Sequence, residues 1–295
     1  MAAYYQQVLV STGHSGWPSR IEDDESTPFT RELKTLVGRR GKYSNVVSQK
    51  TKTMNLTFSA RAGSHVATGK NVMITHSDFP PEPNIGPNKT SVYLFPSFQY
   101  FPEIPSTTDD VAAFTGSAIP GEEQPTSKHF PSRPVTELII LICGHGSRDS
   151  RCGIIAPPLR DEFHEYLNRN GILTHPFQDP PSSTSTTPTT KATARIGLIS
   201  HIGGHKFAGN IIIYIPPGFG SQRLLGDESG VPSSGLEGKG IWYGRVEPRH
   251  VEGIVRETIL GGRVIRDFFR GGVERVDVDG GMDGVEGGRR RIFRL

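Results

Sequence analysis

The sequence predicts an α/β protein, and its second half carries the clearest signal. Short apolar runs typical of buried strands alternate there with two stretches of helical pattern. The predicted order is strand, helix, strand, then two further strands and a helix. A βαβ unit followed by a hairpin gives a mixed sheet covered by helices, which is the core arrangement of a thioredoxin-like fold.

Each element of the second half rests on a local pattern. Apolar, β-branched runs predict strands at 137–143, 194–201, 210–216 and 240–246. Helical spacing of apolar residues predicts helices at 158–171, where Gly171 is the stop signal, and at 248–262. The first half is less regular, with strands predicted at 6–12, 71–77 and 91–97 and a helix at 29–38.

Three segments of the first half echo three segments of the second in the same order. The pairs are VLVSTGHSGW with IILICGHGSR, NVMITHS with RIGLISH, and SVYLFPSF with NIIIYIPPGF. In the first pair Thr12 stands where the second half has Cys143. Two interpretations remain open: a duplicated thioredoxin-like domain whose first copy is degenerate, or chance similarity between strands that precede glycine-rich turns.

The length of 295 residues is about twice that of a typical domain, which predicts two domains. We place an N-terminal α/β domain without metal ligands at 1–115, a linker at 116–134 and a second α/β domain at 135–270. The linker belongs to a Pro-, Ser-, Thr- and Gly-rich connection that extends from 101 to 134. A tail rich in glycine and charge follows at 271–295, and it is expected to be mobile together with much of 175–193 and 218–240.

Composition argues against several classes of protein. The formal net charge is only +3, and no Lys/Arg stripe with interleaved aromatic residues indicates a nucleic-acid partner. The longest apolar run, 138–143, is far too short to span a membrane. Two cysteines in a chain of this length argue against a secreted disulfide scaffold and favour a reducing compartment. No nucleophile triad, Walker loop or dinucleotide fingerprint indicates an enzyme with its own substrate.

Four residues form the candidate metal site. Eight residues separate Cys143 from Cys152, and three separate His201 from His205. Two thiolates and two imidazoles suit either one tetrahedral zinc ion or a 2Fe-2S cluster. From the residues alone, inert structural cysteines and a disulfide switch remain as alternatives.

The predicted strands bring these residues to one edge of the sheet. Cys143 ends one strand, Cys152 is expected in the loop before the next helix, and His201 ends the neighbouring strand. Gly203 and Gly204 allow a turn that returns His205 to the same edge, and their backbone N–H groups can reach a cluster.

His145 belongs to a C-G-H sequence that resembles half of a Rieske motif. The second half is missing, because Ile155 stands three residues after Cys152. We therefore expect His145 to be a residue of the turn or to contact the ligands without binding the metal itself. The remaining histidines are expected at the surface or at helix caps, namely His14, His65, His76, His129, His164, His175 and His250.

Several longer motifs resemble those of the fungal sucrase/ferredoxin-like family, in particular a mitochondrial branch of it. In the second half they are ICGHGSRDSRCGIIAPPL, HIGGHKFAGNIIIY and IWYGRVEPRHVEGIVRETILGG. In the first half they are TGHSGWPSRIEDDE and ELKTLVGRRGKYSNV. The resemblance covers nearly the whole chain apart from the insertions and the tail.

The resemblance implies a thioredoxin-like ferredoxin domain that holds a 2Fe-2S cluster. Carried over by motif, the ligands are Cys143, Cys152, His201 and His205, with the two histidines in place of the last cysteine pair of ordinary thioredoxin-like ferredoxins. His145, Gly203, Gly204 and Lys206 are expected around these ligands. The resemblance also implies a role in mitochondrial thiol homeostasis, although the first residues lack a transit-peptide pattern and a cytosolic location is the alternative.

The expected function is electron transfer or redox sensing with redox partner proteins. Neutral imidazoles in place of thiolates remove negative charge from a cluster and raise its reduction potential, as in Rieske centres at about −150 to +300 mV. Because imidazole can gain or lose a proton, we expect this electron transfer to be proton-coupled. A zinc-stabilised binding module with the same four ligands is the alternative, and a thiol-disulfide oxidoreductase is a third.

Overall fold

The protein is described by a computed structural model. The described residues are 4, 6–38, 41, 72–118, 129–175, 191–222, 235–276 and 289–293. The side chain of His205 is outside this description, as are most of the predicted mobile stretches at 175–193 and 218–240 and part of the family motif at 32–46.

The described strands form one large sheet. They are β1 (Gln6–Ser11), β2 (Val72–Ser77), β3 (Lys89–Phe95), β4 (Gln99–Pro105), β5 (Arg133–Pro134), β6 (Leu138–Cys143), β7 (Leu173–Thr174), β8 (Thr193–Ile199), β9 (Ile211–Ile215), β10 (Lys239–Tyr243), β11 (Phe269–Val276) and β12 (Arg289–Phe293). Their order is β12-β11-β10-β9-β6-β8-β2-β1-β3-β4-β5, and β7 pairs with β8. The predicted mixed α/β class is confirmed, and most of the strand pairs are antiparallel.

The same strand order occurs twice within this sheet. In the first half, β1 is parallel to β2 and antiparallel to β3, which pairs with β4. In the second half, β6 is parallel to β8 and antiparallel to β9, which pairs with β10. The three segment pairs that echo one another in sequence supply the equivalent strands β1 and β6, β2 and β8, and β3 and β9.

The two halves meet where β2 and β8 pair in antiparallel fashion, at Ser77 and Ile199. Aromatic rings also connect the halves, because Phe95 stacks on Tyr214 with ring centroids 3.9 Å apart. A single cluster of buried residues includes these two rings and both cysteines. The halves therefore share one sheet and a common buried cluster, and the domain boundaries drawn from the sequence stay a prediction.

Helices cover the sheet. The α-helices are α1 (Pro28–Val37), α2 (Thr108–Ala118), α3 (Ser150–Arg169) and α4 (Val251–Ile254), and α4 continues as a π-helix over Val255–Leu260. Short 3-10 turns occur at Ile21–Asp23, His205–Phe207, Phe219–Ser221 and Pro248–His250. No helix in the described part of the chain is both long and apolar enough to cross a bilayer.

Two regions predicted to be irregular contain regular structure. The connection predicted at 101–134 contains most of β4 and all of α2 and β5, and the tail contributes to β11 and β12. The glycines of the tail led to the prediction of mobility, but at Gly271 the missing side chain allows two strands to pack closely. A Cβ on Gly271 would lie 3.0 Å from the Trp242 ring, so glycine allows β11 to pack against β10.

Gly209 fixes the loop that carries the predicted histidine ligands. Its φ of +84° is in the left-handed region, and a Cβ there would lie 2.1 Å from the Val246 carbonyl oxygen. The Val246 N–H also donates to the Gly209 carbonyl at 3.1 Å. The loop and the end of β10 therefore touch backbone to backbone.

We expect Gly209→Ala to destabilise the protein by about 2–4 kcal/mol, because the new methyl group overlaps a backbone oxygen that cannot rotate away. Thermal unfolding followed by circular dichroism measures the loss. Gly253→Ala is the matched control, since a Cβ there meets nothing within 4 Å and alanine favours the helix. Equal melting temperatures for the two variants would contradict this account.

Candidate metal centre

The parallel pairing of β6 and β8 brings two predicted ligands to the same edge of the sheet. Cys143, the last residue of β6, pairs with Ile199, the last residue of β8. The Gly144 N–H donates to the Ile199 carbonyl at 3.0 Å and continues the pairing one residue further. His201 follows β8 by two residues, so it emerges beside Cys143.

Cys152 lies in the first turn of α3 and not in a loop before the helix, which corrects the sequence prediction. The helix begins at Ser150, and the Asp149 side chain caps it by accepting the Arg151 N–H at 3.0 Å. The prediction began the helix at the second of two prolines, Pro158. A buried stripe of helical spacing could have revealed the earlier start, and it comprises Cys152, Ala156, Leu159, Phe163 and Leu167.

The two cysteines are fully buried, free of any disulfide and in contact with each other. The pKa of Cys143 lies well below the usual thiol range, chiefly because its thiolate accepts a hydrogen bond from Cys152. Burial opposes this shift in the pKa of Cys143, whereas contacts with His201 and the Ile202 N–H act in the same direction as the bond from Cys152. The pKa of Cys152 is raised, because its proton is held by Cys143 and because burial disfavours the thiolate.

His201 is half-buried and contacts Cys143. Its Nε2 accepts the Gly203 N–H at 3.1 Å, so in the neutral imidazole Nδ1 carries the proton. The ring also lines a cavity of about 200 Å³ between the two halves of the protein, together with two arginines and the ion pair of Lys34 with Glu22. His201 is therefore the one predicted ligand that the described residues place next to this cavity.

Residues 200–210 connect β8 to β9 and are called the histidine loop. The turn predicted at its two glycines is present. Gly203 and Gly204 have φ values of +88° and +76°, and the backbone of His205 begins the 3-10 turn that follows. Asn210 holds this turn, since its Nδ2 donates to the Gly204 carbonyl at 3.4 Å. Among the side chains that the structure describes, no group of three or more Cys, His, Asp or Glu is arranged to hold a metal ion.

His145 is buried directly behind His201. Its Nδ1 accepts the His201 backbone N–H at 3.0 Å, and its Nε2 donates to the Pro18 carbonyl at 3.0 Å. The pKa of His145 is lowered, chiefly because burial disfavours the charged ring. A neutral His145 therefore fixes the backbone of one predicted ligand and ties it to the first half of the protein.

Residues 144–149 connect β6 to α3 and are called the cysteine loop. A short segment of the first half supports this loop, and the sequence analysis did not assign it that role. The Ser147 hydroxyl donates to the Trp17 carbonyl at 2.6 Å, and the Arg148 guanidinium donates to the Ser19 hydroxyl at 3.3 Å. The Trp17 indole in turn donates to Thr12 Oγ1 at 2.9 Å. The echo between the two halves was the available signal, because it aligns this segment with the cysteine loop.

His76 is also buried, although it was predicted at the surface or at a cap. The His76 ring nitrogen Nε2 lies 2.7 Å from Thr30 Oγ1, and Nδ1 lies 3.5 Å from Asp24 Oδ2. Its backbone N–H donates to the Ser200 hydroxyl at 3.0 Å, one residue before His201. By contrast, His250 does act at a cap, since its Nδ1 accepts the Glu247 N–H at 3.1 Å.

The fold and site thus define an α/β protein with a buried cysteine pair and a histidine loop at one edge of its sheet. Comparison with known families identifies it further: the profile of the sucrase/ferredoxin-like family matches residues 1–271, and the chain belongs to that family. This confirms the resemblance seen in the sequence motifs.

Similar proteins come from yeasts. One from Meyerozyma guilliermondii, named altered inheritance of mitochondria protein 32, is 31% identical over 225 residues, which cover 70% of this chain and 65% of the relative. A protein of the same name from Clavispora lusitaniae is 37% identical over 48% of this chain and 37% of its own. Actin patches distal protein 1 of Saccharomyces cerevisiae is 28% identical over 67% of this chain and 56% of its own.

The aligned regions thus span less than two thirds of the length of these relatives. No solved structure matches the chain.

Replacing His145 by leucine should destabilise the protein by about 2–4 kcal/mol, since the His201 N–H and the Pro18 carbonyl lose their buried partners. Urea titration followed by circular dichroism measures this free energy of unfolding. The control is His164→Leu, at a partly buried position of α3. An equal loss of stability in both variants would show that the two hydrogen bonds of His145 make no specific contribution to the free energy of unfolding.

His76 predicts a pH dependence of stability. Burial lowers its pKa to about 4 from an ordinary value near 6.5. Above pH 6.5 the ring is neutral in both states; between pH 6.5 and 4 only the unfolded chain takes up the proton, so stability falls as the pH falls. The free energy of unfolding of the wild type should therefore drop by up to about 3 kcal/mol more than that of His76→Gln between pH 7.5 and 4. A difference independent of pH would contradict this prediction.

Proposed function

We propose that this protein carries a 2Fe-2S cluster and acts in electron transfer or redox sensing, with Cys143, Cys152, His201 and His205 as ligands. The supporting observation is that Cys143, at the end of β6, contacts both Cys152 and His201. The family to which the chain belongs is described as ferredoxin-like. We also interpret each half of the sheet as thioredoxin-like, on the basis of the repeated strand order.

The residues present fit such a group in chemical type. Thiolates and imidazoles are the ligands that iron-sulfur clusters take from proteins. A Cβ on Gly203 would meet nothing within 4 Å, so space remains beside the histidine loop. Because each pair is local in the chain, we propose that the two cysteines share one iron and the two histidines the other.

A 2Fe-2S cluster would supply a one-electron redox centre. The chain sets the charge around that centre. Two neutral imidazole ligands leave less negative charge on the cluster than two thiolates would, and this favours the reduced form. Arg148 on the cysteine loop and Lys206 on the histidine loop add positive charge near the ligands, with the same effect. Arg151, in the first turn of α3, is instead paired with Asp149 at 2.8 Å. Imidazole ligands can also take up a proton on reduction, so we propose proton-coupled electron transfer.

Other residues of the site orient the ligands and limit the access of water. Cys143 and Cys152 are inaccessible to solvent, whereas His201 lines the cavity between the two halves. We therefore assign proton exchange between the ligands and solvent to the imidazole of His201. His145 keeps the His201 backbone in place without carrying a charge of its own.

We further propose a role in mitochondrial thiol homeostasis. Relatives that cover most or half of this chain are named altered inheritance of mitochondria proteins. That name supports a mitochondrial link, and the yeasts from which these relatives come support a fungal branch of the family. A cytosolic location is the alternative, and fractionation of cells that express the tagged chain distinguishes the two.

Two other functions use the same residues. A zinc-stabilised binding module needs only the same four donors. A thiol-disulfide oxidoreductase is the other alternative, and the contact between Cys143 and Cys152 favours it. In such a reaction Cys143 is the nucleophile, because its pKa is the lowered one of the pair. In that reaction the two thiols pass two electrons and two protons to a partner disulfide and become a disulfide themselves.

Anaerobic purification followed by iron, sulfide and zinc analysis and by EPR tests the proposal. We expect about two irons and two sulfides per chain, absorption in the visible range and a rhombic EPR signal on reduction. The reduction potential should fall as the pH rises. His201→Cys and His205→Cys should retain the cluster with a potential lower by at least about 100 mV, because each adds a negative charge.

His129→Cys is the matched control, as it adds the same thiol at an exposed position. It should leave the iron content and the potential unchanged. A colourless protein with one zinc per chain would overturn the proposal in favour of the binding module. A protein without metal, in which Cys152→Ser abolishes thiol exchange and His201→Ala and His205→Ala retain it, would favour the thiol-disulfide oxidoreductase.

A further inference from the structure

Three cationic side chains surround a single aromatic ring beside the histidine loop. The Phe207 ring centroid lies 5.0 Å from Lys206 Nζ, 4.9 Å from Arg245 Cζ and 3.2 Å from Arg270 Cζ. The face of an aromatic ring attracts cations, and this attraction offsets part of the repulsion among them. We call Lys206, Arg245 and Arg270 the cationic patch.

The patch has no acidic counterpart among the described residues. By comparison, Arg249 pairs with Glu247 at 2.7 Å and Arg263 pairs with Glu257 at 2.6 Å. The three patch residues form no such ion pair within the described part of the chain. Burial and the neighbouring charge of Arg245 even lower the pKa of the Arg270 guanidinium. The fold therefore concentrates positive charge here without neutralising it.

The backbone at Arg245 is also unusual. Its φ of +63° lies in the left-handed region, which favours glycine and which an arginine adopts only at a cost in free energy. The Arg245 N–H donates to the Phe207 carbonyl at 3.3 Å and holds the residue over the ring. Strained positions of this kind cluster at functional sites.

The position of the patch relates it to the candidate metal centre. Lys206 and Phe207 belong to the same 3-10 turn as His205, and Asn210 connects this turn to the Gly204 carbonyl. Lys206 and Arg245 are exposed, whereas the cysteines on the other side of the centre are buried. A partner protein can therefore approach the centre more closely from the histidine side.

We propose that the cationic patch is the docking surface for an acidic redox partner, a protein with a one-electron centre beneath a carboxylate-rich face. Complementary charge accelerates such encounters and orients the partners. The electron passes between the two centres at the histidine loop, and no covalent bond forms or breaks. This inference rests on the proposed electron-transfer function, but the surface itself can be tested without it.

The first experiment tests the surface alone, with hexacyanocobaltate(III) as a redox-inert trianion. Binding at low ionic strength is followed by isothermal titration calorimetry. Lys206→Glu and Arg245→Glu should each weaken binding by roughly tenfold. Arg169→Glu is the control, with the same charge change at the far end of α3 in an exposed arginine that pairs with Glu165. Equal affinity in wild type and patch variants would overturn the proposal, whether or not the protein contains a cluster.

The second experiment tests electron transfer in the reduced protein by stopped flow. Hexacyanoferrate(III), an anion, takes one electron and becomes hexacyanoferrate(II); tris(phenanthroline)cobalt(III), a cation, is the comparison oxidant. We expect Arg245→Glu to slow the anionic oxidant roughly tenfold and to leave the cationic one unchanged or faster. Equal slowing of both oxidants would show that the charge at Arg245 does not select between anionic and cationic partners, and it would overturn the docking role. A protein that cannot be reduced would refute the proposed function and leave the binding result to decide the surface.

Discussion

The parallel pairing of β6 with β8 is the constraint on which the candidate site depends. It places Cys143 beside Ile199, so two strands that are separated by 49 intervening residues end at the same edge. Without this pairing, the cysteine pair and the histidine pair would be two unrelated local motifs. With it, Cys143 touches His201, and one sheet edge gathers the thiols and the histidine loop.

The first half of the chain, which has no predicted ligand, acts as the support for the second. Its segment at 17–19 receives hydrogen bonds from the cysteine loop, and β2 pairs with β8 just before His201. His145 joins the two, because it bonds to the Pro18 carbonyl on one side and to the His201 N–H on the other. The position of the ligand loops is thus a property of the whole sheet.

Sequence patterns located most strands but misjudged proline and glycine. Pro157 and Pro158 indicated a helix start, yet α3 already begins at Ser150, because its apolar stripe packs against the sheet along the full length. Gly271 indicated a mobile tail, yet it lets β11 approach Trp242. In both cases packing with distant residues outweighed a local preference, and such contacts are invisible to a reading of neighbouring residues.

The sequence by itself determined the chemistry available to this protein: two thiols, two closely spaced imidazoles, the strands that carry them and the family motifs around them. Only the tertiary structure decided which groups meet, since strand pairing across long stretches of chain sets the distances between them. It buried His76 and His145, turned Thr12 and Trp17 into a support for the cysteine loop, and gathered three cations around Phe207. Charge and burial at a site are sums over distant neighbours, which the order of residues does not reveal.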